Sequence, residues 1–114
     1  MELNEAARRL TALSQEGRLA VFRLLVRAGR EGMAAGEISR ALSVAPNTLT
    51  NQLTILSNAG LVESRRAGRS IIYRADYDAI SNLLVYLMED CCAGRSEVRE
   101  GVARRIPELE GTSS

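Results

Sequence analysis

Histidine is absent from this chain of 114 residues, and lysine is absent too, so that all 15 basic side chains are arginine. Histidine is the commonest general base, and its absence excludes Ser–His and Cys–His nucleophile pairs and every zinc site that contains histidine. The sequence also shows no carboxylate dyad and no glycine-rich phosphate loop. We therefore expect a protein that is not an enzyme.

Cysteine is scarce, and long apolar runs are missing. The two cysteines, Cys91 and Cys92, are adjacent, which is unlike the disulfide framework of a small secreted protein. No stretch reaches the roughly 18–20 apolar residues that a membrane helix needs, and residues 1–13 alternate apolar with charged side chains, unlike a secretion signal. These features predict a single cytoplasmic domain with no membrane partner.

The formal net charge of +1 hides an uneven distribution of charge. In residues 1–75, 11 arginines outnumber 6 acidic residues, whereas in residues 76–114, 8 acidic residues outnumber 4 arginines. A basic part of this size suggests a surface that binds a polyanion. The alternative is an ordinary solvated surface whose charges are unevenly spread.

The spacing of apolar residues predicts mainly helical structure. Helices are expected over residues 3–13, from about Leu19 to the glycines at 29 and 32, over 34–42, over 46–59, and from Tyr77 to about Cys92. Residues Val62 to Tyr73, with a turn at Ala67-Gly68-Arg69, predict a β-hairpin. We expect residues 1–92 to form the domain, and residues 93–114 to form a short frayed helix and a mobile C-terminal tail.

The predicted helix over 46–59 has an unusual polar face. Leu49, Leu53 and Leu56 share one face and should pack inward, while no residue from Ala45 to Ala59 is charged. Exposed helix faces are normally rich in charge. Asparagine, threonine and glutamine are side chains that read base edges in DNA, so we interpret the outward face as a recognition surface. A fully buried helix is disfavoured by its many amides and hydroxyls.

The predicted hairpin follows this helix directly and carries four arginines against a single acid, Glu63: Arg65, Arg66, Arg69 and Arg74. Arginine is the side chain best suited to hold phosphate, so the hairpin is a candidate clamp on a nucleic-acid backbone. The alternative is a hairpin whose arginines only keep it soluble.

The order of elements, with a tight turn at residues 42–46, is that of a winged helix-turn-helix: mainly α with a small β-hairpin wing. The chain resembles the ArsR/SmtB metalloregulatory repressors in FRLL, in GEISRALSVAPNTLTNQLTILSNAGLV and in RRAGRSIIYR. The resemblance implies a homodimer that binds an inverted-repeat operator in double-stranded DNA and is released by an inducer. It places the dimer interface on helices 3–13 and 77–92. It assigns DNA contacts to the recognition helix and the wing: Asn47, Thr48, Thr50, Asn51, Gln52, Arg65, Arg66 and Arg69.

The segment YLMEDCCAG looks like the arsenic-responsive branch of that family. The resemblance implies that Cys91 and Cys92 bind trivalent arsenic or antimony as the inducer, because soft thiolates suit thiophilic ions. No zinc is expected, since the family's zinc ligands include histidine, and region 34–42 lacks the cysteines of the family's original arsenic site. A third cysteine of some relatives aligns near Val98. The sequence therefore leaves open whether the inducer is arsenite, methylarsenite or antimonite. It also leaves open which group is the third ligand and whether the site is shared between subunits.

Other functions remain open for the same residues. The cysteine pair suits a sensor of redox state, of sulfide or of another soft metal, and Cys91 alone suits a small residue of the core. A winged helix can also serve as a protein–protein adaptor that binds no DNA.

Overall fold

A computed structural model describes residues 1–88 and 96–106 of the chain. Within these ranges the helices are α1 (Leu3–Leu13), α2 (Glu16–Ala28), α3 (Ala35–Leu42), α4 (Pro46–Asn58), α5 (Tyr77–Tyr86) and α6 (Ser96–Arg105). The strands are β1 (Met33–Ala34), β2 (Val62–Ala67) and β3 (Ser70–Ala75). In the described part of the chain, no helix is both long enough and apolar enough to cross a membrane.

Local side-chain contacts explain where several helices begin. The Gln15 side chain accepts a hydrogen bond from the backbone N–H of Arg18 at the start of α2, and Asp76 does the same for Ala79 at the start of α5. Each bond satisfies one of the N–H groups that a helix start leaves free. At α4, Pro46 occupies the first turn, where its missing N–H costs nothing.

The core forms where α2, α3 and α4 meet the base of the sheet. Its fully buried members come from these three helices and from the residue just before β2: Val21, Leu25, Ile38, Leu49, Leu56 and Leu61. Because Leu49, Leu53 and Leu56 are all buried, one face of α4 is held against the core and the opposite face is held toward solvent. The prediction that these three leucines pack inward is confirmed.

The sheet is antiparallel, with the strand order β1-β3-β2. Strands β2 and β3 pair along their whole length, from Val62 opposite Ala75 to Ala67 opposite Ser70, and they form the predicted hairpin. Strand β1, which the sequence did not predict, pairs with β3 through Met33 opposite Tyr73 and Ala34 opposite Ile72. It ties the segment before α3 to the hairpin.

The expected fold class, mainly α with a small β wing, is confirmed, and all five predicted helices are present. The last of them spans Tyr77–Tyr86 and continues through a π-helical turn at residues 87–88, and its predicted end at Cys92 lies outside the described residues. In the segment expected as a short frayed helix and tail, α6 occupies Ser96–Arg105.

Candidate nucleic-acid interface

The turn between α3 and α4 is held by Ser39. Its backbone carbonyl accepts hydrogen bonds from the N–H groups of Ser43 and Val44, and its hydroxyl donates to the Val44 carbonyl. Ser43 itself lies in the left-handed region, with φ 53° and ψ 46°. Residues other than glycine rarely adopt this backbone conformation because it is strained. The hydrogen bonds of Ser39 hold the backbone in it and so set the angle between α3 and α4.

The outward face of α4 consists of exposed, uncharged polar side chains: Asn47, Thr48, Thr50, Asn51 and Thr54. No residue of the helix carries a charge. This face therefore offers hydrogen-bonding groups and methyl groups without long, flexible charged chains. Such a surface can approach the edges of base pairs closely, and the major groove is wide enough to admit a helix.

Two threonines on this face have their hydroxyl protons engaged within the helix. Thr50 Oγ1 donates to the Pro46 carbonyl and Thr54 Oγ1 donates to the Thr50 carbonyl, each with an oxygen–oxygen distance of 2.9 Å. Each hydroxyl therefore presents its free lone pairs, with a methyl group beside them, to a ligand. An acceptor next to a methyl group suits the amino groups of adenine or cytosine and the methyl group of thymine.

Gln52 corrects the set of DNA contacts expected from the sequence. Its side chain is only 7% exposed and turns inward against Gly17 in the first turn of α2, so it does not share the outward face with Asn51. Its Oε1 is buried without a hydrogen-bond partner in the described part of the protein. The sequence pattern missed this because Gln52 lies between the leucine face and the polar face.

The wing ends in a two-residue turn at Gly68 and Arg69. Gly68 has φ 63°, and nothing lies within 4 Å of the position where its side chain would begin. A positive φ at the first turn residue only is the pattern of a type II′ hairpin turn, which favours glycine there. The turn places Arg69 at the tip of the wing.

The wing arginines differ in what they contact. Arg74 forms an ion pair with Glu63. Arg65 donates a hydrogen bond from Nη2 to the Glu31 carbonyl at a distance of 3.4 Å. Arg66 follows Arg65 on the same strand, so it points to the opposite face of the hairpin. Within residues 1–88 and 96–106, neither Arg66 nor Arg69 has a hydrogen bond or an ion pair, and both are exposed. These two are therefore the arginines most available to a phosphate backbone.

Arg40 on α3 belongs to the same surface, although the sequence did not single it out. It is exposed and lines a groove of about 310 Å³ between α3 and α4, together with Pro46 and Thr50. Arg40 could have been identified from the sequence, because it lies three residues before the turn of the helix-turn-helix. A cation there lies beside the polar face of α4, where a phosphate backbone would flank the groove.

The expected metal ligands, Cys91 and Cys92, lie outside the described residues. Val98, near which the resemblance leads us to expect a third cysteine in some relatives, is a residue of α6 that is 38% exposed. Among the residues that the structure describes, no group of three or more His, Cys, Asp or Glu side chains could hold a metal ion.

This fold and this polar surface define a class, the winged helix-turn-helix DNA-binding regulators. Residues 13–65 match the model of a helix-turn-helix domain family. A biofilm growth-associated repressor from Xylella fastidiosa is 34% identical over 91 residues, which cover 79% of this chain and 76% of that protein.

Two solved structures are similar over most of the chain. An ArsR-like transcriptional regulator from Rhodococcus sp. RHA1 aligns with a TM-score of 0.71 and 28% identity, covering 90% of this chain and 93% of that one. The homodimeric winged helix-turn-helix DNA-binding domain of a possible ArsR-family regulator from Mycobacterium bovis aligns with a TM-score of 0.64 and 32% identity, covering 77% and 81%. The chain belongs to the ArsR family of winged helix-turn-helix transcriptional regulators.

Proposed function

We propose that this protein is a homodimeric transcriptional repressor that inserts α4 into the major groove of an inverted-repeat operator. The observation that carries the proposal is the exposed, charge-free polar face of α4, which is flanked by arginines of α3 and of the wing. The polar face supplies groups for base edges, whereas Arg40, Arg66 and Arg69 supply cations for phosphate. Base contacts specify the sequence, and phosphate contacts position the protein.

A homodimer accounts for apolar surface that the single chain leaves exposed. On α1, Leu3 is 74% exposed, and on α5, Leu84 and Val85 are each 52% exposed. The two helices adjoin through Arg9, so their apolar side chains can contribute to one surface. Pairing two such surfaces would bury them, and an operator with two half-sites requires the two copies of α4 to lie about 34 Å apart, one helical turn of DNA.

The inducer in this proposal is trivalent arsenic or antimony, bound by the Cys91 and Cys92 thiols. Soft sulfur donors fit such an ion, and two thiols leave one position for carbon, as in methylarsenite, or for water, hydroxide or an external thiol. Each As–S bond replaces an As–OH bond, and the thiol proton leaves with the hydroxyl as water. The pair follows α5 in the chain, so a ligand there would act on the proposed dimer helix.

The DNA-binding proposal is tested with an operator selected from randomised duplexes of about 30 base pairs, long enough for two half-sites. Fluorescence anisotropy then compares Asn51→Ala with Asn58→Ala, an exposed asparagine at the C-terminal end of the same helix, away from the N-terminal part that contacts bases in helix-turn-helix proteins. We expect Asn51→Ala to weaken binding by about 1–3 kcal/mol, as for loss of a base contact, and Asn58→Ala to leave it unchanged. Equal affinity of wild type and Asn51→Ala would contradict the proposed recognition helix.

The inducer proposal has its own test, in which arsenite, methylarsenite, antimonite, hydrogen peroxide and polysulfide are each titrated into the protein–operator complex. We expect the trivalent ions to release the wild type but not the Cys91→Ser/Cys92→Ser variant. Release by peroxide or polysulfide alone would instead identify a redox or sulfide sensor that uses the same cysteines. No release by any of these would overturn the sensing role of the pair.

A further inference from the structure

Arg9 joins three helices through one side chain. It lies on α1. Its Nε donates a hydrogen bond to the Ala59 carbonyl at a distance of 3.3 Å, and its Nη1 donates one to the Ala79 carbonyl at 3.2 Å. Ala59 is the C-cap residue that follows α4, and Ala79 lies in the first turn of α5. The guanidinium also packs against Gly60, just after α4. One planar group thus contacts both proposed dimer helices and the end of the recognition helix.

The end of α4 lacks a cation of its own. Its last turn contains no basic residue, so no side chain of the helix itself offsets the partial negative charge of its C-terminus. Arginines of α1 supply the positive charge instead. Arg9 donates a hydrogen bond to the Ala59 carbonyl, and Arg8 donates one to the Asn58 carbonyl at a distance of 3.2 Å. Hydrogen bonds from a charged donor are stronger than neutral ones.

Arg8 and Arg9 differ in what they join. Arg8 is exposed and, within the described residues, its side chain hydrogen-bonds to α4, whereas Arg9 is half-buried and also reaches α5 through Ala79, which is itself buried. Because the guanidinium is rigid and planar, two bonds from it to two helices restrict how these helices can move relative to each other. A lysine at this position would offer a single point charge and could not hold both carbonyls in the same way.

We propose that Arg9 is a positioning residue that couples the dimer helices α1 and α5 to the angle of the recognition helix α4. This inference rests on the proposed DNA-binding function, and it adds the path by which a change at α5 would reach α4. Two recognition helices must meet two half-sites at a fixed spacing, so loss of the link would lower affinity for the operator without removing a contact to DNA.

The test compares Arg9→Met with Arg8→Met on the selected operator, by anisotropy at several salt concentrations. Both variants lose one charge from the same helix, so a general electrostatic effect would be equal in the two. We expect Arg9→Met to weaken binding roughly 5- to 150-fold, the range of typical coupling between sites. We expect its salt dependence to match that of the wild type, because no phosphate contact is lost. Arg8→Met should bind almost as the wild type does.

Arg9→Lys provides a second variant if Arg9→Met does not fold, as judged by circular dichroism. It keeps the charge but not the two-helix bridge, and we expect the same loss of affinity. Equal affinities for the Arg8 and Arg9 variants, or a reduced salt slope in Arg9→Met, would overturn the positioning role while leaving the DNA-binding proposal intact. A wild type that selects no duplex would overturn both.

Discussion

Glu63 and Arg74 face each other across β2 and β3, and Glu63 Oε2 accepts a hydrogen bond from Nε of Arg74 at 2.7 Å and forms an ion pair with Nη2 at the same distance. The pair sits at the base of the wing, and both side chains are partly exposed. It therefore engages one of the four wing arginines and places an acidic group next to a surface that we propose binds DNA.

The wing arginines should differ in their effect on DNA binding. We expect Arg66→Gln and Arg69→Gln each to reduce the salt slope of operator binding by about 1, because each loses a phosphate contact. Arg74→Gln should leave the slope nearly unchanged, since Arg74 is held by Glu63. Anisotropy titrations over a range of salt concentrations measure these slopes.

The acidic partner provides a further check on the same surface. Glu63→Gln removes a negative charge and releases Arg74, so we expect it to strengthen DNA binding at low salt. Weaker binding by Glu63→Gln, or equal slopes for Arg69→Gln and Arg74→Gln, would contradict this view of the wing.

Ser43 should tolerate glycine better than a β-branched residue. Its left-handed backbone is strained for any side chain, and more so for valine. We expect Ser43→Val to have a free energy of unfolding about 1–2 kcal/mol lower than Ser43→Gly, measured by urea denaturation. Ser81, an exposed residue of α5, gives the matched control, because Ser81→Val and Ser81→Gly lie in ordinary helical backbone. A higher stability for Ser43→Val would refute the strained turn.

Gln52 should be replaceable by methionine with a gain in stability. Its buried Oε1 lacks a partner in the described structure, and methionine has a similar length without the polar group. We expect Gln52→Met to raise the free energy of unfolding by about 1 kcal/mol, because an unsatisfied buried acceptor is removed. Operator affinity should change far less than in Asn51→Ala. A loss of affinity as large as that of Asn51→Ala would return Gln52 to the DNA-contacting set.

Gly32 should be intolerant of any side chain. It has φ 74°, and a Cβ there would collide with the Tyr73 carbonyl oxygen of the paired strand β3. We expect Gly32→Ala to lower the free energy of unfolding by about 2 kcal/mol or more, as overpacking adds to backbone strain. Gly68→Ala is the control, because Gly68 also has a positive φ, 63°, and open space around it. Equal costs for the two would show that the close approach contributes nothing.

Leu84 should contribute to the proposed dimer. We expect Leu84→Glu to weaken self-association and operator binding together, because a charge would be buried in an apolar interface. Analytical ultracentrifugation measures the association. Leu19→Glu on α2 is the matched control, since Leu19 is 41% exposed. Dimers of unchanged affinity in Leu84→Glu would exclude this face of α5 from the interface.

The sequence predicts the positions of the helices better than it predicts the complete sheet. Helix positions follow from contacts between residues three and four apart, and Leu49, Leu53 and Leu56 were therefore assigned to the core correctly. Strand β1 was missed because two residues carry no periodic signal, and its pairing with β3 depends on residues some forty positions away. The hairpin was predicted because its turn and both strands are adjacent in sequence.

The candidate site divides in the same way. The amino-acid sequence by itself determined the elements of the winged helix and the charge-free polar character of α4, because both depend on local spacing and residue type. Only the tertiary structure decided which side chains are available. Packing of α4 against α2 buries Gln52, pairing of β2 with β3 engages Arg74, and the meeting of α1 with α4 and α5 gives Arg9 its two carbonyl partners. These are contacts between distant residues, which a pattern along one chain does not specify.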